Sequence, residues 1–144
     1  IDRFRPNVRV RWREIAGPTT AGAFHAIAPQ RVYGTPPYRK LVPTTDRVFS
    51  VANSICGVAD VVPAGATAVA ATVTVTETEG ATGGFVSIRP GDTPDNGTSS
   101  INWWNVGQTL ATTVIVGVNT NRQLVAKPGP TAAHLIVDVT GYYR

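Results

Sequence analysis

Two carboxylates two residues apart, Glu77 and Glu79, and a histidine and an aspartate four apart, His134 and Asp138, are the side chains here best typed for acid–base chemistry. On an extended strand, residues i and i+2 share a face, which sets the Glu77 and Glu79 backbones about 6–7 Å apart, a spacing compatible with glycoside hydrolysis. They close a strand-like run beside "GATGG", however, where solvated acids are the plainer reading. His134 and Asp138 also share a face, but at the rise of a strand they stand about 13 Å apart, too far for a hydrogen bond. They are not a dyad. Serine, histidine and aspartate are present without a nucleophile elbow or any comparable local signature. The segment "PGDTPDNG" (90–97) holds Asp92, Asp95 and Asn96 and is a faint match to a calcium loop. It lacks the alternating oxygens and terminal Glu of an EF-hand, and its two prolines favour a rigid turn. Cys56 is the only cysteine, which excludes an internal disulfide and a cysteine-based zinc site and predicts a small apolar residue in the core. The expectation is a non-catalytic protein with no cofactor and no metal.

Two further constellations concern contact rather than chemistry. In "NWWN" (102–105), neighbouring tryptophans on a strand point to opposite faces. One of Trp103 and Trp104 is therefore expected in the core. The other, with Asn102 and Asn105, is expected to form a protein interface or, alternatively, a glycan platform. In the closing run "HLIVDVTGYYR", Asp138 interrupts apolar, β-branched sequence. Alternation sets His134, Ile136, Asp138, Thr140 and Tyr142 on one face and Leu135, Val137, Val139, Gly141 and Tyr143 on the other. Both faces are largely apolar, which predicts a central strand covered on both sides. A carboxylate buried there requires a partner, and Arg31 is the one expected. Breaking such a buried pair on one side would cost about 3–5 kcal/mol.

The elements that must position these residues are strands. Alternating or β-branched runs fill 67–78, 84–90, 98–104, 109–118, 122–127 and 132–143, with 46–53 and a short 31–33 before them. Clusters of Gly, Pro, Asn and Asp separate them. "AGATAVAATV" is the best helix candidate, and it is too β-branched to serve. Many short strands with regular turns predict an all-β fold, a single β-sandwich of jelly-roll-like or immunoglobulin-like form, with a barrel as the alternative. The 144 residues suffice for one such domain with a sizeable core. The division expected is a basic extended arm and connector over 1–21 and a sandwich over 22–144.

The net charge of +4 is unevenly spread. Arg3, Arg5, Arg9, Arg11 and Arg13 face only Asp2 and Glu14 at the N-terminus, which leaves the body near neutral and argues against a nucleic-acid partner. No apolar run is long enough for a membrane span. The chain starts at Ile1 and contains no Met, as expected of a processed protein or a segment of a longer one. Within the arm Val8, Val10 and Trp12 alternate with Arg9, Arg11 and Arg13, the pattern of a strand with one apolar and one cationic face. Such a strand needs a sheet edge to pair with. The long connector favours the edge of a neighbouring copy over its own.

Four stretches in order, "FHAIAPQRVYGTP" (24–36), "VPAGATAVAATVTVTETEGATGGFVSIRPG" (62–91), "TSSINW" (98–103) and "HLIVDVTGYY" (134–143), together resemble a domain widespread in secreted and surface proteins of actinobacteria. That domain is often repeated in tandem or found beside cell-wall hydrolases and proteases. Gly34, Thr35 and Pro36 stand where it usually has Asp-Thr-Arg, and Ala71-Thr72-Val73-Thr74 where it has Asn-Val-Thr. The resemblance implies a β-domain in an extracellular or cell-surface setting, without an established catalytic role. Combined with the residue-level reading, it leads to a structural or assembly module that self-associates through strand edges and the arm. The alternatives are a carbohydrate- or cell-wall-polymer-binding module and a virion subunit.

Overall fold

The computed structural model describes residues 22–144; the arm residues Val8, Arg9, Val10, Arg11, Trp12 and Arg13 lie outside this range. The described chain is all-β. It forms β1 (Phe24–Gly34), β2 (Arg47–Ser50), β3 (Ala68–Thr76), β4 (Gly84–Pro90), β5 (Ile101–Trp103), β6 (Leu110–Gly117), β7 (Gln123–Pro128) and β8 (His134–Tyr143). These strands make two four-stranded antiparallel sheets, in the orders β1-β8-β3-β6 and β2-β7-β4-β5. The two sheets pack face to face as a sandwich, and no closed barrel forms. No helix among the described residues is long and apolar enough to cross a membrane.

The core is read directly from alternation. Val69, Ala71, Val73 and Val75 of β3 are fully buried, as are Leu135 and Val139 of β8, and they face Val86, Ile88, Leu124 and Ala126 of the other sheet. Each such valine contributes about 1.5–3 kcal/mol relative to exposure. The loop between β2 and β3 closes one end by inserting Val51, Val61 and Val62. Arg122 ties that loop down by donating to Asp60 at 2.9 Å and to the Val62 carbonyl at 3.0 Å.

Two expectations about the last strand need correction. β8 is central in its sheet, between β1 and β3, but only one of its faces meets the core. Ile136, Asp138 and Thr140 are half-exposed on the outer face, because no third layer of described residues covers it. Strict alternation also fails at Thr140. Val139 pairs with Ala71 and Gly141 with Ala70, so Thr140 is the extra residue of a bulge, and its hydroxyl donates to the Ala70 carbonyl. The bulge exchanges the faces beyond it. Tyr142 turns against the core cluster, and Tyr143 joins Phe24 outside, ring centres 5.0 Å apart. Gly141 is required there because a Cβ would run into the Phe24 ring.

β1 is longer than the 31–33 strand expected, beginning at Phe24, since β8 supplies ladder partners at both of its ends, with shifts of register between them. Cys56 is exposed in the β2–β3 loop rather than buried. In the same loop Ala52 and Val61 are the buried apolar residues.

The Trp103 indole fills the space over Gly84, and its Nε1 donates to the Glu79 carbonyl at 2.8 Å. A methyl at residue 84 would collide with that ring and with the Thr131 hydroxyl. Gly84→Ala is therefore expected to destabilise the domain by about 1–3 kcal/mol through overpacking, read as a lower urea midpoint at unchanged m-value.

Candidate interaction surfaces

The residues first considered for catalysis are dispersed. β3 ends at Thr76, and Glu77 follows with φ of 49°, so Glu77 and Glu79 do not share a strand face. Glu77 turns toward the His134 Nε2 at 3.4 Å, while Glu79 accepts from Lys40 Nζ at 3.1 Å. His134 is buried, with its Nδ1 2.8 Å from the Thr35 hydroxyl oxygen. That oxygen also accepts from the Leu135 N–H at 3.0 Å. His134 thus serves to hold the start of β8 against the end of β1. In the 90–97 segment Asp95 accepts from Lys127 Nζ at 2.6 Å and from the Gly97 N–H at 3.0 Å. The lysine bond first, and the backbone bond second, hold its carboxyl below the usual aspartate range. Asp95 acts as a turn anchor.

Arg31 and Asp138 stand directly opposite each other on β1 and β8. The guanidinium grips the carboxylate with two hydrogen bonds, Nε to Oδ1 at 2.8 Å and Nη2 to Oδ2 at 3.2 Å. The pair is not buried as expected: the Arg31 side chain is 49% exposed and that of Asp138 23%. It lies on the uncovered outer face, with Thr72 beside it on β3. The large penalty expected for an orphaned buried charge does not apply to such a site.

Trp103 and Trp104 divide between core and solvent. Trp103 is 2% exposed and Trp104 67%. Trp104 is carried on a pinned loop rather than a loose one. The Gln108 side-chain oxygen accepts from the N–H groups of Trp104 and Asn105, and the buried Thr78 hydroxyl donates to the Asn105 carbonyl. Val106 projects from the same loop, and Asn102 and Asn105 are exposed beside it. Asn102 accepts from Ser99. The result is a rigid apolar projection immediately before β6.

The four edge strands differ in protection. β1 carries Pro29, Arg31 and two register shifts in its ladder with β8, and β2 and β5 have only 4 and 3 residues. β6 is different. Its 8 residues, LATTVIVG, include no charge and no proline, and among the described strands it pairs with β3 alone. Its inward residues Leu110, Val114 and Val116 are only partly buried, while Ile115 on the outer face is 65% exposed. An uncharged edge of this length is a template for another strand.

Sequence reading missed a second feature, built from the end of β1, the following loop and the start of β2. Tyr33, Tyr38, Arg39, Lys40, Asp46 and Arg47 line an open cleft of about 530 Å³. Behind it Arg89 of β4 is 4% exposed. Its Nη2 donates to Asp46 at 2.9 Å and its Nε to the Thr93 carbonyl at 2.7 Å. Alternation with Val86 and Ile88 would have put Arg89 in water, but the 91–98 loop folds back over the sheet and covers it. No family model and no curated protein matches this chain.

The exposure of the Arg31–Asp138 pair sets its energetic scale. Asp138→Ala is expected to cost about 1 kcal/mol or less by chemical denaturation, with the difference shrinking in high salt. A loss of several kcal/mol would mean that the carboxylate is desolvated in solution.

Proposed function

We propose that this chain is a non-catalytic structural module that joins copies of itself at a cell surface, the free edge of β6 in one copy receiving the N-terminal arm of another. The observation that carries this reading is the β6 edge, the one long described edge strand without charge, proline or bulge. The arm supplies the matching pattern. Added beside β6 as a strand, its Val8, Val10 and Trp12 continue the partly covered inner row of Leu110, Val114 and Val116. Arg9, Arg11 and Arg13 then fall on the outer side next to Ala111, Thr113 and Ile115. The pinned Trp104 and Val106 extend the same flank with apolar area suited to a subunit contact.

Chain geometry favours a neighbour as the source of the arm. The described chain enters β1 in the row Phe24–Tyr143–Ala68–Gly117, that is, at the C-terminal end of β6. From there a self-docked arm runs parallel to β6. Antiparallel self-docking would stretch the connector diagonally across the sheet, roughly 27 Å against a fully extended reach of about 30 Å. A second copy provides the antiparallel ladder, slightly the more stable of the two, without that strain. The extracellular setting rests on the four ordered stretches that resemble actinobacterial surface domains.

Like charge beside the arm arginines should oppose the contact, and unlike charge should favour it. Thr113→Lys with Ile115→Lys is expected to weaken self-association about tenfold, and Thr113→Glu with Ile115→Glu to strengthen it about as much, by sedimentation velocity. Deleting residues 1–18 should leave a folded monomer. If both charge pairs shift association in the same direction, or the truncated chain associates like the parent, the β6–arm contact is wrong.

A further inference from the structure

We infer that the cleft between β1 and β2 binds a glycan bearing anionic groups, carboxylate or phosphate, at a site separate from the β6 edge. Of its cations, Lys40 is neutralised by Glu79, and Asp46 is already held by Arg89. That leaves Arg39 and Arg47, neither of which has a carboxylate partner among the described residues. Arg47 donates Nε to the Tyr33 hydroxyl at 3.2 Å, which orients the guanidinium along the cleft wall and leaves its other N–H groups for a ligand. Two guanidiniums so placed suit the planar, two-oxygen edge of a carboxylate or phosphate.

The aromatic residues of the cleft favour a sugar as the carrier of that charge. Tyr33 is fixed, stacked on Phe49 at 4.4 Å between ring centres and bonded through its hydroxyl. Tyr38 is 81% exposed, and its ring stacks on no other aromatic ring among the described residues. A fixed wall and a free ring beside it form a platform for the C–H face of a pyranose, with the Thr35 to Asp46 segment supplying polar edges. The volume of about 530 Å³ accommodates one to two sugar rings and lies within the range of small-molecule sites. Around Trp104, by contrast, the side-chain oxygens of Asn102 and Gln108 already accept internal hydrogen bonds, and the contacts described involve no cation.

The full-length chain is titrated, with amide shifts followed by NMR, against hexagalacturonate, poly(glycerol phosphate), neutral galactohexaose and hexaglutamate. Binding of hexagalacturonate or poly(glycerol phosphate), whichever source of charge prevails, is expected to move Tyr38, Arg39 and Arg47 amides and leave those of β6 in place. Galactohexaose and hexaglutamate should bind at least about tenfold more weakly than the better anionic glycan. Arg39→Ala with Arg47→Ala, and separately Tyr38→Ala, should each weaken it about tenfold, and Tyr38→Phe should retain it. Arg9→Ser, Arg11→Ser and Arg13→Ser together should leave these shifts unchanged, which separates the cleft from the basic arm. Equal binding of hexaglutamate or galactohexaose overturns the inference, as does binding lost with the arm arginines but kept without Arg39 and Arg47, or no binding of either anionic glycan.

Discussion

β8 takes a ladder on each edge, from β1 on one side and from β3 on the other, and this double pairing closes the fold. It joins the two ends of the described chain, since β1 opens it and β8 ends it, with Ala23 and Arg144 exchanging backbone hydrogen bonds. Its inner row of Leu135, Val137 and Val139 forms the floor against which the second sheet packs. Residues far apart in sequence become neighbours only through it: Thr35 with His134, Arg31 with Asp138, Phe24 with Tyr143. The bulge at Thr140 belongs to the same arrangement, because it lets one strand turn an aspartate outward and a tyrosine inward a few residues apart.

From that frame the two sides of the sandwich acquire different characters. On one side β1 and β2 are bridged by the 35–46 segment, which carries tyrosines and cations and leaves a polar cleft. On the other side β5 and β6 are joined by a short pinned loop with exposed apolar residues, and β6 ends its sheet uncovered. The cleft suits a charged small ligand, and the bare edge suits another strand. On the proposed reading, such a module attaches to a polymer through one side and to its own copies through the other.

Charge in this domain is used for fastening. Arg89 holds Asp46 and the 91–98 loop, Arg122 holds the β2–β3 loop, Lys127 holds Asp95, and Lys40 holds Glu79. Each joins two segments distant in sequence, and most lie at the rim, where an ion pair supplies position more than stability. Arg39 and Arg47 stand outside this pattern, which is why the cleft they line reads as a surface for something other than the chain itself.

The segmentation into strands and turns was legible in the amino-acid sequence, because period-two alternation, β-branched content and Gly, Pro, Asn and Asp clusters act over a few residues. So were the all-β class, the division of Trp103 from Trp104 between core and solvent, and the choice of Arg31 as the residue facing Asp138. What tertiary structure alone decided is burial, and with it the character of the sites. Asp138 lies on an outer face that no layer of the described residues covers. Arg89, which alternation with Val86 and Ile88 would point away from the core, is sealed by a loop that returns from further along the chain. Glu77 and Glu79 part because β3 ends at Thr76 and Glu77 itself is left-handed, and the cleft at Tyr38 exists only where two edge strands from different sheets meet. Local pattern specifies which way a side chain points along its own strand, but whether water, a loop or a second sheet waits there depends on distant parts of the chain.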